Sequence, residues 1–427
     1  MAFFSYASNL VEGDTNRAPD VFVYDFDAGV TARASLDSLG RQGSGSSVSP
    51  SLSADGRYLA FASDSSSGVA GRGEIFVHDL ATGQTALVSV SSAGQRVGDT
   101  ALFPSISADG RYVAFASPAS NLAPGDANNT WDVFLHDLAT GATERVSVDS
   151  SETENAHPSY LPSISSDGSY VAFESAANFD RRDRNGSWDI YVRDLKRGDT
   201  AWVSDGHNHP NSGDGHAPAI SADGAVVAFA SGAALWMEDT NGMADIYQFR
   251  QVIAPGPWTD PRSGLTVGIY YGFGPNERLS ESVSDGPANG TSAAPAISAD
   301  GAVVAFSSAA SDLVVGDANG AADVFVHLWE GPDLGGGCLA ELISAPIAAV
   351  TGVPQHALQT LDHIDKHRRA PPGWRFPEGK KFKNDGRHGT QVLPRFEPDG
   401  TPITYTGWDV HPYRPGVGRG LERLVTG

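Results

Sequence analysis

One short segment, repeated five times, constrains the fold more than any other feature of this chain. SLSADGRYLAFAS (51–63) returns as SISADGRYVAFAS (105–117), SISSDGSYVAFES (163–175), AISADGAVVAFAS (219–231) and AISADGAVVAFSS (296–308). A second unit runs between the copies: DVFVYDF (20–26), EIFVHDL (74–80), DVFLHDL (132–138), DIYVRDL (189–195), DIYQFR (245–250) and DVFVHLW (323–329). The aspartates of the five Asp-Gly pairs stand at 55, 109, 167, 223 and 300. Their spacings are 54, 58, 56 and 77 residues, the last widened by a Gly/Pro-rich insertion near 251–276. A unit of this size cannot bury its apolar face alone and must stack on its neighbours.

Each unit predicts four short strands. Asp-Gly tolerates the positive φ of a tight hairpin, and Tyr-Val-Ala-Phe-Ala-Ser after it is β-branched, aromatic and alternating. Asp-Val-Phe-Val-x-Asp-Leu supplies a third strand and Thr-x-x-Val-Ser-Val a fourth. Four-stranded sheets repeated around an axis make a β-propeller. Residues 3–36 add three strands of a further blade, so the spacing predicts an all-β six-bladed propeller over 1–335, closed between an incomplete first unit and an incomplete last one. His78, His136 and His327 recur at one strand position, as packing residues do. His207, His209 and His216 share a loop without the Cys or Glu spacing of a zinc site.

Charge divides the chain. Its net charge is −22, yet residues 353–427 carry 12 Lys+Arg against 8 Asp+Glu, a net of +4. The remainder holds −26, and opposite signs predict two domains with different tasks. The expected division is a propeller over 1–335, a linker over 336–352 with the lone Cys338, and a small domain over 353–427. One cysteine excludes a disulfide within the chain. No apolar run approaches the roughly 20 residues that span a bilayer, so no membrane partner is expected. MAFFSYASNL also lacks the basic and then long apolar pattern of a secretory leader.

A loop motif precedes the third strand of most units. It reads Asp14-Thr-Asn16-Arg-Ala-Pro-Asp20, Asp126-Ala-Asn128-Asn-Thr-Trp-Asp132, Asp183-Arg-Asn185-Gly-Ser-Trp-Asp189, Asp239-Thr-Asn241-Gly-Met-Ala-Asp245 and Asp317-Ala-Asn319-Gly-Ala-Ala-Asp323. The unit at Glu74 has lost it and offers Gly71-Arg-Gly73 instead. Two chemistries fit. Closely spaced hard oxygens suit a calcium ion, for which Asp126, Asn128, Asp132, Asp317, Asn319 and Asp323 are the candidate ligands, although no Glu completes an EF-hand loop. The same residues equally bond their own backbone in a turn. Ile-Ser-x-Asp-Gly-x-Tyr-Val-Ala-Phe-x-Ser with Asp-Val-Phe-Val-x-Asp-Leu resembles the β-propeller repeats of the TolB type, a likeness of fold that implies no single function.

The tail has a different grammar. Ala357, Leu358, Leu361 and Ile364 share one face at helical spacing after Pro354, and Pro371-Pro372-Gly373 stops that helix. Short β-like runs follow, predicting an α+β domain of one helix and an antiparallel sheet. VPQHALQTLDHI, FKND, Leu393-Pro394, Tyr405-Thr-Gly-Trp-Asp-Val410 and Pro415-Gly-Val-Gly-Arg-Gly-Leu-Glu-Arg-Leu-Val-Thr-Gly427 resemble the microbial guanyl-specific ribonucleases that include barnase. The resemblance implies secretion and cofactor-free cleavage of single-stranded RNA through a 2′,3′-cyclic phosphate. By the same resemblance Arg419 and Arg423 would hold the charge developing on phosphate, with Asp409 as their ion partner. Phe382 and Asn384 would line the guanine loop. The family's general base, however, falls on Gly407, and its catalytic histidine falls beyond Gly427, so the chain is expected to be a weak or inactive ribonuclease. The competing expectation is a non-enzymatic propeller that binds a protein or glycan.

Overall fold

A computed structural model of the chain describes residues 1–64, 73–205, 214–235, 239–250, 276–284 and 286–329, with the backbone alone at 251–253, 258–259, 266–267, 271–273 and 422–423. Phe382, Asn384, Gly407, Asp409 and Arg419 lie outside the described residues, as does the predicted α+β domain around them.

The described chain is a six-bladed β-propeller. Its first sheet has three antiparallel strands, Ala2–Ser5, Asp20–Asp25 and Val30–Arg33. The second runs Ser47–Leu52, Tyr58–Ser63, Glu74–Asp79 and Gln84–Leu87, each strand pairing the next. The third (Leu102–Ile106 to Ala142–Arg145) and fourth (Ser159–Ile164 to Asp199–Trp202) repeat that order. The fifth begins at Gly215–Ile220 and takes Glu277–Arg278 as its fourth strand. The insertion foreseen near 251–276 therefore enters between its third and fourth strands. The sixth starts at Ser292–Ile297, and its third strand, Asp323–Leu328, pairs with Glu422–Arg423.

The repeated turn shows why the sequence folds this way. Ser53 donates its hydroxyl to Asp55 at 2.6 Å and accepts the Tyr58 N–H at 2.9 Å, while Asp55 accepts the Arg57 N–H at 3.0 Å. Gly56 takes φ of 71°, a region closed to most side chains. In the next blades this turn also meets its neighbour. A Cβ on Gly110 would stand 2.2 Å from the Tyr58 ring, and one on Gly168 would stand 2.4 Å from that of Tyr112. Backbone bonds follow the same path, from the Ala54 N–H to the Ala108 carbonyl and from the Ala108 N–H to that of Ser166.

Packing between sheets follows one rule. Phe115 and Phe134 of the third blade face each other with centroids 6.0 Å apart. Both are buried against Ala60, Ala62, Ile75 and Val77 of the second. Five such clusters join the six sheets in sequence, each with rings from one blade on small or branched residues of the blade before. His78 and His136 are buried packing residues as expected, each ring bonded through Nδ1 to a threonine hydroxyl, Thr85 at 2.8 Å and Thr143 at 2.9 Å. Burial lowers the pKa of both.

Replacing Gly110 with Ala should destabilise the protein by about 2–4 kcal/mol, from left-handed strain plus overpacking on Tyr58. Denaturant titration of Gly110→Ala against Gly56→Ala isolates the second contribution, because the Gly56 position has nothing within 4 Å of an added Cβ.

Candidate functional site

The first strand of each complete blade lines the axis, and all five are bulged. Register slips between Val48 and Ser51, Leu102 and Ser105, Tyr160 and Ser163, His216 and Ala219, and Ala293 and Ala296. Within each bulge a non-glycine residue adopts positive φ: Ser49, Phe103, Leu161, Ala217 and Ala294, between 48° and 57°. A proline follows every one of them, suited to a bulge because it has no ladder N–H to lose. The residue before each kink still pairs with the penultimate residue of the second strand, as Tyr160 does with Glu174 and His216 with Ala230.

Beside these bulges blades three to five gather aromatic rings. Tyr160 lies 5.2 Å from Trp131 and 5.7 Å from Trp188, measured between centroids. Phe103 meets Tyr160 edge-on at 6.5 Å, and Trp188 meets His216 at 6.3 Å. All five rings are partly exposed. Behind them Glu174, opposite Tyr160 in the sheet, is 8% exposed. Its carboxylate accepts the N–H of the strained Ala217 at 3.0 Å and faces His216 Nδ1 at 3.4 Å. Asp214 meets His216 Nε2 at 3.1 Å. Held between two carboxylates, His216 has a raised pKa, chiefly through its bond to Glu174. Burial, with a smaller contribution from Glu174, pushes the Tyr160 hydroxyl up.

Sequence reasoning missed this constellation, although a signal for it was present. Where Glu174 stands, the other blades carry Phe4, Ala62, Ala116, Ala230 and Ser307. Trp131 and Trp188 correspond to Pro19, Gly73, Ala244 and Ala322.

The loop motif offered to calcium contributes Trp131 and Trp188 to this cluster, and its polar groups bond to protein partners. Asn128 turns its amide nitrogen to Asp132 at 2.8 Å and its oxygen to the Thr130 N–H at 3.1 Å. Asn319 does the same with Asp323 (2.9 Å) and Ala321 (2.9 Å). That is an Asx turn closed on a carboxylate. Arg145 sits among Asp126 (3.5 Å), Glu154 (2.5 Å) and Asp132 (3.9 Å), where a cation would. Blade four replaces that arginine: Tyr191 donates to Asp183, and Trp202 Nε1 donates to Asp189 at 2.6 Å. Among the described residues no group of three or more His, Cys, Asp or Glu is placed to hold a metal ion. Burial raises Asp132 to about 6 and Asp189 to about 7.

No family model matches the chain, and no curated protein does. Solved structures similar to it include TolB from Acinetobacter baumannii, at 16% identity and a TM-score of 0.41, over 77% of this chain and 60% of that one. A putative TolB from Agrobacterium tumefaciens aligns at 18% identity and 0.41, over 72% and 84%. The Pyrococcus horikoshii acylaminoacyl peptidase aligns at 13% and 0.40, over 77% and 43%. The chain thus spans about three fifths of the length of the first of these. Likeness at this level says nothing about function.

Two outcomes check the loop chemistry. Arg145→Met strands Asp126, Asp132 and Glu154 and should cost about 3–5 kcal/mol in denaturant titrations. Asp189 has a folded pKa near 7 against 3.8 for the free group, so its contribution to stability should fall as pH rises through 7. Unfolding midpoints at pH 5.5 and 8 should therefore diverge more in the parent protein than in Asp189→Asn.

Proposed function

We propose that this chain is a binding propeller that captures a basic segment of a partner protein at the aromatic mouth of its axis. The observation that carries the reading is the partly exposed row Trp131–Tyr160–Trp188 backed by the buried Glu174 carboxylate. Ring faces bear negative potential, and a Lys or Arg head over Trp or Tyr gains about 0.5–2 kcal/mol. Glu174 and Asp214 add carboxylates beside those rings, and the −26 carried before residue 353 supplies a field that draws cations. His216 cancels only one of the two local charges when protonated. Its imidazolium fixes the position of Glu174 rather than neutralising the mouth. Cleavage of RNA by residues 353–427 rests on motif resemblance only, and Gly407 at the base position weighs against an efficient enzyme.

Calorimetric titration with peptides bearing paired Lys or Arg tests the reading. Binding should weaken as salt rises past about 0.1 M. Trp131→Ala and Trp188→Ala should each cost about tenfold in Kd, as hot-spot aromatics do, while the exposed Leu39→Ala should change nothing. Affinity for neutral oligosaccharides in place of basic peptides would replace the partner with a glycan. Peptide binding that survives both tryptophan changes would remove the site.

A further inference from the structure

One backbone bond decides which side chains meet beside the bulged strands. The N–H at the start of each first strand donates to the carbonyl just before the third strand of the preceding blade. Ser47 donates to Pro19, Ala101 to Gly73, Ser159 to Trp131, Gly215 to Trp188 and Ser292 to Ala244, at 2.7–2.8 Å. The next residue of each first strand is thereby brought beside that neighbour. Three of the resulting pairs contain no aromatic ring: Val48 with Pro19, Leu102 with Gly73, and Ala293 with Ala244. The other two are Tyr160 with Trp131 at 5.2 Å and His216 with Trp188 at 6.3 Å. His216 is thus the counterpart of Tyr160. Trp188 lies 5.7 Å from Tyr160 and links both pairs into one row of four rings.

The fourth ring is the one that can carry a charge. His216 is half-exposed, with Nδ1 3.4 Å from Glu174 and Nε2 3.1 Å from Asp214. A neutral imidazole has one N–H and cannot donate to both carboxylates, so this geometry belongs to the imidazolium. Glu174 also accepts the Ala217 N–H at 3.0 Å, which holds it in place when the ring loses its proton. Among the described residues these two carboxylates are the charges that face the ring. Of the elements packed on its strand, Val226–Ser231 and Ser292–Ile297 have no ionisable side chain. Ser159–Ile164 offers the Tyr160 hydroxyl, Tyr170–Ser175 offers Glu174, and Asp189–Asp194 brings Asp189 at its near end.

We propose that His216 is a built-in cation of the aromatic mouth, and that a basic segment binds there by driving its proton off to solvent. This rests on the binding role proposed above and adds its regulation. A Lys or Arg head beside Glu174 and over Trp188 repels the imidazolium and takes over the carboxylates and ring face that serve it. Two carboxylates with the imidazolium sum to −1, and with the neutral ring to −2. Linkage is reciprocal, so a segment that displaces the proton is itself held more tightly once the proton has gone. Affinity therefore rises with pH through the imidazole titration.

Calorimetry on the full chain, with a capped peptide of paired lysines and no histidine, tests this. The dissociation constant should be about three- to tenfold lower at pH 8.5 than at pH 6, the effect of one unit charge about 6 Å away. Binding near neutral pH should release protons, read as a heat that changes with the buffer. Asp189, raised to about 7, titrates in the same window, so His216→Gln isolates the imidazole. That variant should bind more tightly than the parent at pH 6 and lose most of the pH dependence. Should it fail to fold, Asp214→Asn takes its place and should move the transition in affinity to lower pH. Binding to the parent that is no tighter at pH 8.5 than at pH 6, or a pH dependence that the variant keeps in full, overturns this inference alone. A peptide that binds at neither pH removes the mouth as a site, and its regulation with it.

Discussion

The contact on which the rest depends is an aromatic pair of one blade seated on the alanine and branched aliphatic strip of the blade before it. Phe173 and Tyr191 on Ala114, Val133 and Leu135 are the same joint as Phe229 and Tyr247 on Ala172, Ile190 and Val192. Burying each large ring is worth about 1.5–3 kcal/mol, so every joint outweighs any single surface ion pair. Both faces of the middle strands are consumed in such joints. That is why Tyr170–Ser175 and Val226–Ser231 are buried almost throughout and do not alternate with polar residues. With the strands committed, chemistry is left to the loops and to the strand lining the axis.

At the loop end the fold places buried carboxylates in quantity, and desolvation dominates their protonation even with an arginine nearby. Asp132 rises to about 6 although Asn128 and Ser147 bond to it and Arg145 lies within 4 Å. Its counterparts on exposed turns behave in the opposite way. Arg57 holds Asp79 and Arg111 holds Asp137 well below the usual carboxylate range, through paired side-chain bonds. The repeat thus carries the same residue type in two electrostatic roles, and burial decides between them.

Much of the fold was legible because the repeat obeys sterics that sequence displays openly. An Asp-Gly pair before an alternating aromatic run admits few structures, and five copies fix blade boundaries that a single copy would blur. The Asn-Asp loop was harder. Composition places hard oxygens together, but the direction in which an amide points is a property of the folded loop, and here it points nitrogen-first at the carboxylate. The aromatic mouth escaped because a search for shared positions passes over those where copies disagree. Glu174 among alanines, and Tyr160 where others have Val48 or Ala293, look like noise until the first strands converge on the axis.

That difference in position carries a functional consequence. Residues common to all copies build joints and turns, and a ligand site made from them would be sixfold and centred. The clustered rings come from blades three to five, while the first strands of blades two and six hold Val48 and Ser49, and Ala293 and Ala294, at the corresponding positions, and blade one sets an exposed Phe4 where blade four has Glu174. The arc from blades three to five is therefore both aromatic and acidic, whereas blades two and six offer small or aliphatic residues there. On the proposed function, a charged group over Trp131, Tyr160 and Trp188 would lie off the axis. An extended segment of a protein chain can leave such a rim in one direction, which a ligand plugging the axis symmetrically cannot do.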